Sequence, residues 1–125
     1  MLDRRRNKRH NISYYLQIID ASLDKVIGHL ADISPEGLRM DSQQPIPIQK
    51  TYRIRIQTAA DISDRENIEF IAISKWCRQN PIDPVLYDVG MEIISINQHD
   101  RQVVLRMMEK YSFHEKPFDF ELPIG

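Results

Sequence analysis

Two short stretches of this 125-residue chain hold the side chains with the most specific chemistry. Near the start, "LDRRRNKRH" places Arg4, Arg5, Arg6, Lys8 and Arg9 within six positions; further along, "DISPEGLRM" carries Asp32, Ser34 and Gly37 around a proline. Formal net charge is −1, but the first ten residues sum to +4, so the other 115 sum to −5. A domain that coats nucleic acid has a basic face of its own, and this one is acidic outside the arm. The arm therefore suits a small, localised anion better than a polyanion surface.

Taken singly, each stretch has a plain explanation. A terminal charge run is solvated by default. Ser34-Pro35-Glu36-Gly37 is ideal four-residue turn chemistry, with Ser at the first position, Pro fixing φ at the second and Gly at the fourth. Other chemistries find little support. A single cysteine, Cys77, cannot form a disulfide within the chain, and with His10, His29, His99 and His114 it gives no CxxC or HxxxH spacing, so no metal site is expected. No GxSxG, HExxH or P-loop spacing occurs, and Asp32 and Ser34 have no evident histidine base, so no catalytic residue, cofactor or enzymatic activity is expected. No run of about 18 apolar residues could span a membrane, and the arginine-rich start lacks the apolar stretch of a signal peptide. These features predict a cytoplasmic protein without a membrane span.

The elements that must position these residues are legible from periodicity. "NISYYLQIID" alternates Ile12, Tyr14, Leu16 and Ile18 against polar neighbours, a strand with one buried face, and a polar break follows at 20–24. "KVIGHLADI" reads as a second strand whose apolar phase slips by three between Leu30 and Ile33, which predicts a bulge near Ala31. Leu38 and Met40 begin the returning strand. "QQPIPIQK", with two prolines, is a loop or edge crossing before "TYRIRIQ", where Tyr52, Ile54 and Ile56 face one way and Arg53, Arg55 and Gln57 the other. "ADISDREN" is a polar loop, "IEFIAISKWCRQ" a long strand, "NPIDP" a turn, and "LYDVGMEIIS" the partner strand, with Gly90 marking a bend or a close backbone approach. From Asn97 the period changes: Asn97 is an N-cap, Asp100 sits at N3, and Val104, Met107, Met108 and Tyr111 form a helical stripe. Six strands and one late helix favour a mainly β protein, an antiparallel barrel closed by a C-terminal α-helix. The expected organisation is an arm over 1–11, a barrel domain over 12–112 with its helix near 97–111, and a tail over 113–125. Phe118, Phe120, Leu122 and Ile124 alternate in that tail and could dock on the domain or on a partner.

The combination of RRxxR ahead of the first strand with DxSxxG leaving the second is what neither turn chemistry nor solubility requires. Together with Trp76 in the fifth strand, the "VGMEI" strand and the closing helix, it resembles the PilZ domain family over nearly the whole chain. The resemblance implies a six-stranded PilZ-type barrel that binds the bacterial second messenger cyclic dimeric GMP (cyclic di-GMP, c-di-GMP). It also implies a signal-transducing receptor or adaptor that regulates an unidentified protein partner in motility, biofilm, secretion or virulence control. Arginine suits both parts of such a ligand: its planar fork pairs with phosphate oxygens and with the O6/N7 edge of guanine, and it stacks on the base. A carboxylate such as Asp32 can accept the N1–H and amine donors of guanine's other edge. The implied binding residues are Arg5, Arg6, Arg9, Asp32, Ser34 and Gly37, with Arg4 and Trp76 as further candidates. Arg39, two residues beyond Gly37, can line the same face, whereas Arg53 and Arg55 read as solvation of a strand; all three are left outside the site. Binding is expected to order the arm over the barrel.

Two other readings compete. One is a single-stranded nucleic-acid-binding barrel that stacks bases on Tyr14, Tyr15, Tyr52 and Trp76, although DNA is not an expected partner. The other is a PilZ-type interaction module without ligand binding, acting through its helix and tail.

Overall fold

A computed structural model of the chain describes residues 16–58 and 67–111. Its elements are β1 (Gln17–Asp20), β2 (Lys25–Ser34), β3 (Gly37–Ser42), β4 (Thr51–Gln57), β5 (Asn67–Gln79), β6 (Tyr87–Ile96) and α1 (Gln98–Tyr111). The strands close into a barrel in the order β1-β2-β3-β6-β5-β4, every neighbouring pair antiparallel. The expected fold class is therefore the observed one. Of the first predicted strand, residues 11–15 lie outside the described residues, as do the 1–11 arm, the 113–125 tail and most of the "ADISDREN" loop.

Alternation does most of the building. Tyr52, Ile54 and Ile56 of β4 are buried between exposed or half-exposed Thr51, Arg53, Arg55 and Gln57, and Ile68, Phe70, Ala72 and Ser74 of β5 point the same way. Burying one face of each strand supplies the apolar driving force, and closure leaves few edges to protect. Where the alternation slips, a bulge absorbs it. Leu30 pairs with Met40 and Asp32 with Arg39, so Ala31 is the extra residue, as the sequence predicts. A second bulge in β5 leaves Lys75 between the Ser74–Met91 and Trp76–Gly90 pairs.

The predicted polar break differs at its first residue. Asp20 is buried as the last residue of β1, and its Oδ1 accepts a hydrogen bond from the Ser22 amide at 3.0 Å. Its carboxylate caps the turn instead of meeting solvent.

Because all neighbours are antiparallel, the β1–β2 turn, the 43–50 loop and the β5–β6 turn gather at one pole, and the β2–β3 turn lies at the other with the start of α1. Asn97 caps α1 as expected: its Oδ1 accepts the Asp100 amide at 2.8 Å, while Asp100 Oδ2 accepts from Asn97 Nδ2 at 3.2 Å and from the Glu69 amide at 3.1 Å. Val103, Val104 and Met107 are fully buried in the same apolar cluster as the barrel interior, so the helix plugs that end.

At the opposite pole one buried hydroxyl anchors the proline-rich loop. Ser74 Oγ donates to the Pro47 carbonyl at 2.7 Å and accepts from the Lys50 amide at 3.1 Å. Its backbone accepts from the Gln49 amide and donates to the Lys50 carbonyl. Gln49 holds a left-handed φ of 59° to make these contacts. Removing this fully buried hydroxyl takes a partner from two backbone groups, so Ser74→Ala is expected to cost about 1–3 kcal/mol. Urea unfolding followed by circular dichroism should show the lowered midpoint with an unchanged slope.

Candidate functional site

The bulge at Ala31 decides where the DxSxxG side chains go. Leu30 and Ile33 both enter the core, and the extra residue between them lets Asp32 and Ser34 occupy the outer face. They face outward and yet are almost inaccessible, 2% and 5% exposed. Ser34 pairs with Gly37 across the two-residue turn of Pro35 and Glu36, and Ser34 Oγ accepts the Glu36 amide at 3.2 Å. The Glu36 carbonyl accepts from the Ile93 amide at 2.8 Å, which ties the turn to β6.

Strand pairing then carries a row of residues around the outer wall. Asp32 pairs with Arg39, Arg39 with Gly90, and Gly90 with Trp76. At about 4.8 Å per strand, the row spans about 14 Å from carboxylate to indole. Arg39 Nη2 lies 3.6 Å from Asp32 Oδ2, an ion pair in which the carboxylate is buried and the guanidinium partly exposed. In the adjoining row Gly37 pairs with Glu92, whose carboxylate stands 3.7 Å from Lys75 Nζ.

Trp76 lies outside the interior apolar cluster although it is only 5% exposed. The indole rests on Gly90: a Cβ there would stand 2.5–2.8 Å from Cε2, Nε1 and Cζ2 of the ring, too close for any side chain. The predicted close approach at Gly90 is thus by a side chain, not by backbone. Among the described residues the indole N–H has no hydrogen-bond partner, an uncommon state for a buried donor.

A second outer row lies nearer the opposite pole, where His29 pairs with Asp41, Asp41 with Asp88, and Asp88 with Arg78. Burial pushes the Asp41 carboxyl above its ordinary value; His29 opposes this, while Asp88 and Asp83 add to it. Asp88 is shared between Arg78 at 3.9 Å and Asn80 Nδ2 at 2.9 Å.

The structure therefore brings Asp32, Ser34 and Gly37 together on one hairpin and sets Trp76 on the Asp32 row. Arg4, Arg5, Arg6 and Arg9 lie outside the described residues. Leu16, the first described residue, accepts the Leu30 amide through its carbonyl at 2.8 Å, two residues before Asp32. Arg39, left out of the site on sequence grounds, stands between Asp32 and Gly90; its even spacing from Gly37 was the available signal. Tyr52, offered as a base-stacking platform, is instead packed in the core. Among the described residues no three His, Cys, Asp or Glu side chains are arranged to hold a metal, and no helix is long and apolar enough to cross a membrane.

The carboxylate of Asp32, the guanidinium of Arg39 and the indole of Trp76 thus lie along one outer row of a small closed barrel. The PilZ domain family profile matches residues 3–110, nearly the whole chain, and the chain belongs to that family. No curated protein and no solved structure matches it significantly. PilZ domains are ligand-binding receptors rather than enzymes.

Two outcomes test the outer wall. Gly90→Ala must displace a rigid indole, with an expected cost of about 1–3 kcal/mol and a red shift of the fluorescence of the chain's single tryptophan. For Asp41, the folded state holds its proton more tightly than the unfolded state, whose pKa is near 3.8. The group therefore lowers stability as pH rises from that value through its raised folded value. Asp41→Asn should accordingly raise the urea midpoint at pH 7 and bring no gain below about pH 3.5.

Proposed function

We propose that this chain is a cytoplasmic receptor for cyclic dimeric GMP that relays ligand binding to a protein partner. The observation that carries the reading is the outward-aimed Asp32 carboxylate, set beside Ser34 and Gly37 on the hairpin next to which the N-terminal chain joins the barrel. Asp32 accepts the N1–H and amine of one guanine, the Ser34 hydroxyl adds a polar contact, and Gly37 lets the ligand approach the backbone. Arg5, Arg6 and Arg9 bring the matching cations to the phosphates and to the O6/N7 guanine edge. Six residues separate Arg9 from Leu16, a span of at most about 25 Å, which is ample to reach the Asp32 row. Arg4 extends the run toward a second ligand molecule, and Trp76 forms the apolar end of the wall. Arg39 already engages Asp32, so an incoming guanine shares the carboxylate with it or displaces it onto a phosphate.

Binding converts the arm into a changed surface, and that surface meets the partner; motility, biofilm, secretion and virulence control are the processes that the family suggests. The nucleic-acid reading is weakened by the burial of Tyr52 in the core and by the net negative charge outside the arm.

Calorimetric titration with cyclic dimeric GMP, with GMP and a short single-stranded RNA as controls, tests the assignment. Saturable binding of the dinucleotide alone is expected. Arg9→Ala and Asp32→Ala should each weaken it by about 30-fold or more, the loss of about 2–5 kcal/mol that follows when a charged contact is truncated. RNA binding that survives Asp32→Ala with a steep salt dependence would overturn the reading.

A further inference from the structure

We infer that Arg39 selects the base at this site: it stays beside Asp32 in the bound state and donates to the O6 oxygen of the guanine that Asp32 holds. The inference rests on the cyclic dimeric GMP reading and extends it from ligand class to base selectivity.

The Arg39–Asp32 pair differs from its neighbours on the outer wall. Glu69, Asp24 and Glu92, the carboxylate partners of Arg53, Arg55 and Lys75, have side chains 45%, 84% and 41% exposed, so water also solvates them. The Asp32 side chain is 4% exposed and that of Arg39 43%, so a ligand meets the guanidinium first. The N1–H and amine of guanine are neutral donors: they satisfy lone pairs of Asp32 but leave its charge uncompensated. Taking the cation away from a buried carboxylate is strongly unfavourable, which favours a guanine that shares Asp32 with Arg39 over one that displaces it.

Arg39 has donors to share. Its Nη2 stands 3.6 Å from Asp32 Oδ2, beyond the roughly 2.7–2.9 Å of a charge-assisted hydrogen bond. Among the described residues the guanidinium makes no hydrogen bond, although it carries several N–H donors. The next side chain along its row is the Trp76 indole, which offers no acceptor. A donor and an acceptor thus stand side by side, and guanine presents their complement, the O6 acceptor next to N1–H and the amine. Adenine presents the reverse, an amine where guanine has O6 and a bare N1 where guanine has N1–H. It would set N–H groups against the guanidinium and a lone pair against the carboxylate, and both repel. Asp32 alone could still accept adenine's amine; with Arg39 beside it the site rejects that base. O6 has a second lone pair on its N7 side, which is left for an arm arginine.

Calorimetric titration of the full chain, below neutral pH so that every N1 keeps its proton, tests this with three cyclic dinucleotides: the guanosine, 6-thioguanosine and inosine forms. Sulfur at position 6 is a poor acceptor, whereas inosine keeps O6 and lacks the amine that Asp32 receives. The wild-type chain should bind the thioguanosine form about tenfold more weakly than the guanosine form. Arg39→Met should shrink that ratio at least threefold and leave the guanosine-to-inosine ratio unchanged, whereas Arg39→Lys, which keeps a cationic donor, should preserve both. Each ratio compares two ligands on one protein, so a partly unfolded variant still reports it. An unshrunken thioguanosine ratio in Arg39→Met would overturn the inference and leave the cyclic dimeric GMP reading intact. So would a parallel fall in the inosine ratio, which makes Arg39 a prop for Asp32 and no reader of the base. Failure of the wild-type chain to bind cyclic dimeric GMP would overturn both.

Discussion

The outer wall of this barrel depends on how β2 absorbs one extra residue. With Ala31 inserted into β2, Leu30 and Ile33 both reach the core while Asp32 and Ser34 face outward. Strand side chains alternate with a period of two, so pairing residues 30–34 without that bulge would turn Asp32 into the apolar interior and Ile33 out of it. A carboxylate forced inside without a partner would destabilise the barrel severely. The bulge thus reconciles a continuous core with a charged group held in a fixed outward position.

The same logic operates in β5. There the bulge at Lys75 lets Ser74 turn inward to hold the 43–50 loop while Trp76, two residues on, turns outward onto Gly90. Two bulges on strands that are not neighbours therefore aim Asp32 and Trp76 at opposite ends of one cross-strand row. Arg39 and Gly90 fill the middle of that row, so its chemistry belongs to four strands and to no single motif.

The two poles have different characters for a topological reason. Antiparallel closure sends the β2–β3 turn and the α1 start to one pole, where Val103, Val104 and Met107 complete the core. Among the described residues no helix covers the three connections at the other pole, and apolar side chains such as Leu23, Ile48, Ile82 and Val85 are exposed there.

Much of this was legible before any coordinates. Local signals survive intact in the linear chain: the alternation of Tyr52, Ile54 and Ile56, the slip of three between Leu30 and Ile33, the turn chemistry of Ser34 to Gly37, and the Asn97 cap. Each depends only on residues a few positions apart. What the linear chain hid was register. Arg39 was passed over because its neighbour Asp32 lies across a ladder, whereas Tyr52, a platform in one competing reading, already shared its face with Ile54 and Ile56. Trp76 meeting Gly90 depends on a bulge that shifts one strand against another. The sequence by itself determined the strands, the turn and the identity of the charged groups, because those follow from short-range periodicity and backbone preference. Only the tertiary structure decided which of those groups stand side by side, because cross-strand neighbours are chosen by closure and register, and these are properties of the whole sheet.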